Sequence, residues 1–158
     1  MRISTRGRYA LRMMLDIAKH SESGPPVSLS TISERTGVSH GYLEQLAPAL
    51  RAARLVKSVA GRYGGYRLAT AAGEISIRQI IEASIGPVCV VDCVEDPESC
   101  LRAEYCECRV VYSLINQRIA QVLEEFSLED LLDPSWLQSN EGDLGARLLT
   151  PEGPAPGH

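Results

Sequence analysis

Five cysteines, Cys89, Cys93, Cys100, Cys106 and Cys108, fall in one short window, and the rest of the 158-residue chain has none. The same window holds Asp92, Glu95, Asp96, Glu98, Glu104 and Glu107. So many carboxylates disfavour a bare reactive thiolate, and a bound iron or zinc ion supplies the missing positive charge. Zinc sites usually present cysteine pairs two to four residues apart, whereas the gaps here hold three, six, five and one residues. An iron-sulfur cluster has width of its own and tolerates such loops, provided that three or four thiolates converge on it. An odd cysteine count cannot pair off as disulfides. No apolar run approaches membrane-spanning length and no signal-peptide core is visible, so a cytoplasmic setting with no membrane partner is expected.

The net charge of −4 conceals two opposite halves. Met1 to Arg67 carries eleven Lys and Arg against four Asp and Glu, and Leu68 to His158 carries five against sixteen. The first half suits a polyanion and the second does not. The alternative is that basic and acidic faces neutralise each other within the fold or a dimer.

The elements that position these groups begin with a helix over residues 4–20, capped by Ser4 or Thr5 and marked by Ala10, Leu11, Met14, Leu15 and Ala18. Arg6, Arg8 and Arg12 on its other face are placed to reach phosphates. After the Gly24-Pro25-Pro26 break, Ser28 caps a short helix with Leu29 and Ile32 inward, Gly37 ends it and Val38 plugs the turn. Ser39 opens a second helix whose apolar stripe is Leu43, Leu46, Ala47 and Leu50. That stripe leaves His40, Gly41, Tyr42, Glu44 and Gln45 in front, a helix-turn-helix pattern offering its second helix to the major groove. Gln45 suits an adenine edge and Glu44 a cytosine amino group, while Tyr42 offers a hydroxyl and a ring. Pro48 deletes a backbone bond, so a kink or an early end is expected there. Residues 56–68 read as a β-hairpin with a glycine-rich tip, a wing whose Lys57, Arg62 and Arg67 can rest on phosphates.

In the second half, Ser76-x-x-Gln79 opens a helix through Ile77, Ile80, Ile81 and Ile85, closed by Gly86-Pro87. The cysteine segment follows as an acidic loop without period. It runs into an apolar-patterned stretch from Glu104 to Phe126, with Val111, Ile115, Ile119, Val122 and Phe126 in step, about 33 Å of helix. A stripe of that length in a small protein is expected to pack against its symmetry mate. Ser127 can cap a last short helix through Leu132, and residues 134–158 are expected to form a disordered tail.

The opening Met1-Arg-Ile-Ser-Thr-Arg-Gly-Arg-Tyr-Ala, the segment Ile32-Ser-Glu-Arg-Thr-Gly-Val-Ser, the run Tyr42-Leu-Glu-Gln-Leu and the wing Gly64-Gly-Tyr resemble the bacterial IscR family, with its NsrR and CymR branches. The resemblance spans about residues 1–133 and is tighter in the first half. It implies a dimeric winged-helix transcription regulator holding an iron-sulfur cluster through three cysteines before the dimer helix. Carried over position by position, these are Cys93, Cys100 and Cys106, with the first gap one residue longer than usual. The family's histidine ligand falls at Arg109, an acidic ligand of the NsrR branch falls at Arg8, and the wing arginine falls at Ala60. The fourth ligand therefore stays open among Cys108, Cys89, Glu107, a residue of the other subunit and a small thiol. Arg62 becomes the substitute wing cation.

These readings combine into a mostly α fold with a small β-hairpin wing. A winged helix-turn-helix DNA-binding domain is expected over 1–70, and a cluster loop with dimerisation helices over 71–133. The expected function is a transcription regulator, and a repressor rather than an activator. Its affinity for a near-palindromic double-stranded operator would depend on an iron-sulfur cluster, 2Fe-2S ahead of 4Fe-4S. The expected DNA contacts are Arg8, Ser39, His40, Gly41, Tyr42, Glu44, Gln45 and Arg62. No catalytic constellation is present, since His20, His40 and His158 are scattered and no phosphate-binding glycine loop precedes a helix. Two rivals remain: a cluster-free regulator of sulfur metabolism driven by a partner protein or a thiol switch, and an iron-sulfur redox protein that does not bind DNA.

Overall fold

The amide of Gly7 donates to the Ser4 hydroxyl at 3.2 Å and so starts the first helix, α1 (Thr5–Ser21). In the computed structural model, which describes residues 3–21, 24–135 and 138–139, α2, α3, α4 and the wing all pack around this helix. That is why Met13 and Ile17 are fully buried beside the expected Ala10, Met14 and Ala18. A helix at the hub of a domain is apolar on more than one stripe.

Helix α2 (Leu29–Thr36) starts at Ser28, whose hydroxyl accepts the Thr31 amide at 3.1 Å, and ends at Gly37 with φ 71°. Only a residue at ease in the left-handed region makes that turn without strain. Val38 is buried beneath it, and α3 (His40–Ala52) follows with Leu43, Leu46, Ala47 and Leu50 inward. The early end expected at Pro48 does not occur, because α3 continues through it to Ala52. Proline deletes only the bond to the Glu44 carbonyl, and Glu44 is exposed, where water can replace it.

Strands β1 (Val56–Val59) and β2 (Gly65–Leu68) pair antiparallel, from Val56 opposite Leu68 to Val59 opposite Gly65. On its other side β2 exchanges two bonds with Val27, at 2.9 and 2.8 Å, through Tyr66. A Cβ at Gly65 would overlap the Val27 backbone, so glycine is what lets the wing lie against the segment preceding α2.

Helix α4 (Ile77–Ile85) begins in a full capping box: the Ser76 hydroxyl accepts the Gln79 amide, and the Gln79 side chain accepts the Ser76 amide. Its Ile77, Ile80 and Ile81 join the same core as α1, α2 and α3, together with Ile75 and Leu128. The cysteine segment is not a plain loop but a string of single turns: α5 (Asp92–Glu95) and 3₁₀ turns at Pro97–Ser99 and Ala103–Tyr105. Helix α6 (Glu107–Glu125) follows, 19 residues or about 28 Å, beginning three residues later than the apolar pattern. The chain then returns to the start of α4, where Phe126 accepts the Ile77 amide and Leu128 donates to Ile75. A 3₁₀ turn at Asp130–Leu132 closes the described core. Apart from residues 134–135 and 138–139, the expected tail lies outside the described residues.

Candidate nucleic-acid interface and cysteine loop

The front of α3 carries a small set of exposed polar groups on a buried stem. His40, Gly41, Glu44 and Gln45 are exposed, and Ser39 sits at the amino-terminal cap with its hydroxyl making no capping bond. His40 Nδ1 lies 3.7 Å from Glu44 Oε1 across one turn. Tyr42 departs from the sequence expectation. Its ring is half-buried and meets Tyr9 edge-on, centroids 5.3 Å apart, so only part of it is offered outward.

The arginines divide into two groups. Arg8, exposed, donates to the Thr5 hydroxyl one turn back, and Arg62, exposed at the wing tip, lies over the Tyr63 ring at 5.7 Å. These two keep most of their donors outward. Arg6 and Arg67, read from sequence as phosphate contacts, are half-buried and engaged by the chain's own backbone: Arg67 donates to the Gly24 carbonyl at 2.7 Å, and Arg6 donates to the Ser84 and Gln45 carbonyls. A residue that sequence reasoning passed over, Asp16, is 7% exposed and holds Arg35 of α2 through two bonds of 2.9 and 2.7 Å. Those bonds keep the Arg35 guanidinium protonated to above arginine's ordinary range. A buried Asp on an otherwise apolar stripe was the available signal.

The three candidate ligands lie on or beside separate short elements. Cys93 lies on α5, Cys100 follows the Pro97–Ser99 turn, and Cys106 caps α6. All five thiols are free, with Cys100 and Cys108 exposed and the others half-buried. Among the described residues, no three His, Cys, Asp or Glu side chains gather closely enough to hold a metal ion. Cys93, Cys100 and Cys106 are therefore not brought together. The donor set still suits a cluster in kind and number: three unpaired thiols, on turns with little buried side chain between them. The segment is tied at both ends. The Val88 amide donates to Glu82 at 3.3 Å, the Val90 amide to Asn116 at 3.0 Å, and Arg109 Nε to the Cys93 carbonyl at 2.8 Å. Arg109, at the position of the resembled family's histidine ligand, is thus engaged with the backbone, and the Cys89 thiol donates to the Val91 carbonyl.

The family model of Rrf2, described as iron-dependent transcriptional regulator, matches residues 3–134. The chain belongs to the Rrf2 family. An HTH-type transcriptional regulator IscR of Xenorhabdus nematophila is 42% identical over 132 residues, 84% of this chain and 79% of that protein. The IscR of Aliivibrio salmonicida is 40% identical over 150 residues, covering 94% and 88%. Among solved structures, CymR, the global cysteine regulator of B. subtilis, superposes with a TM-score of 0.67 at 39% identity, covering 83% of this chain and 95% of that one. The T. potens IscR gives 0.68 at 31% identity, covering 97% and 94%.

As a member of the Rrf2 family the chain is an IscR-like, DNA-binding transcription regulator of the winged-helix type and not an enzyme, which sets aside the redox-protein rival. Among the described residues no helix is long and apolar enough to cross a membrane. This Rrf2 protein also carries an apolar face that the sequence pattern assigned only in part. No residue of α6 is buried; Ile119 and Leu123 are half-buried, Leu123 against the core, while Val110, Val111, Leu114, Ile115 and Val122 stand outward, Val110 64% exposed. The single stripe read from sequence is thus two faces, one turned inward and one outward.

Proposed function

We propose that this chain is a homodimeric repressor whose operator affinity is set by an iron-sulfur cluster held by Cys93, Cys100 and Cys106. The observation that carries the reading is the position of those three free thiols, on the only stretch of short turns between α4, which packs on α1 and α3, and α6, which exposes the apolar face. Residues 1–70 then form the DNA reader, and residues 71–133 form the sensor and dimer unit. Ser39, His40, Gly41, Glu44, Gln45 and the outward edge of Tyr42 enter the major groove, while Arg8 and Arg62 neutralise phosphates. The outer face of α6 buries itself against its symmetry mate, and the two α3 helices then meet half-sites about one helical turn or a small multiple apart.

When bound, the cluster, 2Fe-2S or 4Fe-4S, supplies a cross-link between the turns that iron shortage, oxidant or nitric oxide can remove. Everything else is done by the chain. Arg109 and Asn116 hold the cysteine turns to α6, and Glu82 holds them to the end of α4, so the conformation of the turns biases how the dimer presents its two readers. A differential of about 1–3 kcal/mol, roughly 5- to 150-fold in affinity, suffices for regulation. The fourth ligand is taken from Cys108, Cys89, Glu107, the other subunit or a small thiol.

A second reading is a cluster-free regulator answering a partner protein or a thiol switch, and two observations favour it: the likeness to CymR, and the absence of a gathered donor set among the described residues. Anaerobic purification with iron and sulfide analysis separates the two. The cluster reading expects a coloured protein that loses iron and colour when Cys93, Cys100 and Cys106 are all replaced by serine. A colourless wild type that still binds DNA selects the second reading.

A further inference from the structure

Arg6 touches two elements, α4 and α3, that lie along the proposed signal path. From the first turn of α1, its Nε–H donates to the Ser84 carbonyl at 2.6 Å and its Nη2–H donates to the Gln45 carbonyl at 3.2 Å. Ser84 lies in the last turn of α4, where carbonyls have no amide of their own helix to accept. Gln45 lies on the exposed front of α3. The chain leaves α4 through Gly86, at φ 90°, and reaches Cys89 five residues after Ser84. A carbonyl from the end of α4, five residues before Cys89, and one from the DNA-reading helix are therefore held by one planar guanidinium.

A guanidinium is a rigid fork, so two acceptors bonded to it cannot move independently without breaking a bond. A rearrangement of the turns after Gly86 that shifts the end of α4 must either drag α3 or give up one of these contacts. We infer that Arg6 is a positioning residue that couples the cysteine segment to the recognition helix through the Ser84 and Gln45 carbonyls. The inference rests on the cluster-control reading above, and it assigns that control a route. It also gives a role to a cation at the start of α1, placed by charge alone among the phosphate contacts, whose Nε–H and one Nη2–H are taken up by backbone carbonyls.

The test is made on the full chain, anaerobically loaded with iron and sulfide or stripped with a chelator. Arg6→Lys and Arg6→Met are titrated, each in both forms, into a duplex selected from random sequence by the wild type. Lysine keeps the charge but cannot bridge two carbonyls as a fork. The wild-type ratio of loaded to stripped affinity, expected at 5- to 150-fold, should fall to within about twofold in both variants, with the salt dependence of Arg6→Lys unchanged. A ratio preserved in Arg6→Lys overturns the inference, even if its melting temperature drops, because Arg6 would then be only a structural tie. Equal loss in both forms with a shallower salt slope in Arg6→Met also overturns it, in favour of a phosphate contact. A wild type with equal affinity in its two forms sinks the cluster-control reading itself. A responsive wild type beside an equally responsive Arg6→Lys sinks the role of Arg6 alone.

Discussion

The amino-terminal reader and the cysteine–α6 region are built to opposite standards. In the reader, α1 and α2 start at the hydroxyls of Ser4 and Ser28, β2 of the wing is bonded on both sides, and Leu43, Leu46 and Leu50 are sealed. In the other region the turns after Gly86 fully bury only Ala103, and α6 has no fully buried residue, with Leu123 half-buried against the core. A region satisfied by its own chain holds one shape. A region with free thiols and an apolar outer face has bonding and burial capacity to spare, and under the proposed function that is where a signal acts at low energetic cost.

Substitutions in the two regions should therefore behave differently, and the largest gap is expected in stability. Leu46→Ala, in the sealed core, should lower the unfolding free energy by about 2–5 kcal/mol in a denaturant titration. A value under 1 kcal/mol would remove the basis for calling the reader rigid. Next in size is discrimination: Gln45→Ala should cost about 1–3 kcal/mol for the preferred duplex and little for a scrambled one, measured by competition binding. Equal loss on both duplexes would move the base contact off Gln45. Ser76→Ala removes one half of the capping box and should cost about 0.5–2 kcal/mol, read from thermal unfolding. Smallest in stability is Leu114→Asp on the outer face of α6, which should change the folding of the protomer by no more than about 0.5 kcal/mol. If the proposed dimer forms through this face, sedimentation of the variant should nevertheless report a monomer beside a dimeric wild type. An unchanged dimer would place the subunit contact elsewhere.

Legibility in the sequence followed the range of the interactions. The α2–α3 turn was readable because Ser28, Gly37 and Val38 act within a few residues, and the wing because alternation and Gly64-Gly65 are local signals. What failed was long-range. Arg6 finds an acceptor 78 residues away, Arg67 one 43 residues away, and Tyr42 is drawn half inward by Tyr9, none of which leaves a local trace. Pro48 does not end α3 for a different reason, since the cost of a missing bond depends on whether water reaches the orphaned carbonyl. The single turns around the cysteines, closed by three- and four-residue backbone bonds, have no apolar period to announce them. The thiol ligands were assigned by resemblance alone, and among the described residues no three His, Cys, Asp or Glu side chains gather closely enough to hold a metal ion.

The central claim is that occupancy of the cysteine segment sets the grip on DNA. The direct measurement is the affinity of one wild-type preparation for one duplex at fixed salt, before and after anaerobic removal of iron and sulfide. The account predicts a change of roughly 5- to 150-fold, abolished in the variant with serine at 93, 100 and 106. Identical affinities in the loaded and stripped forms would contradict it.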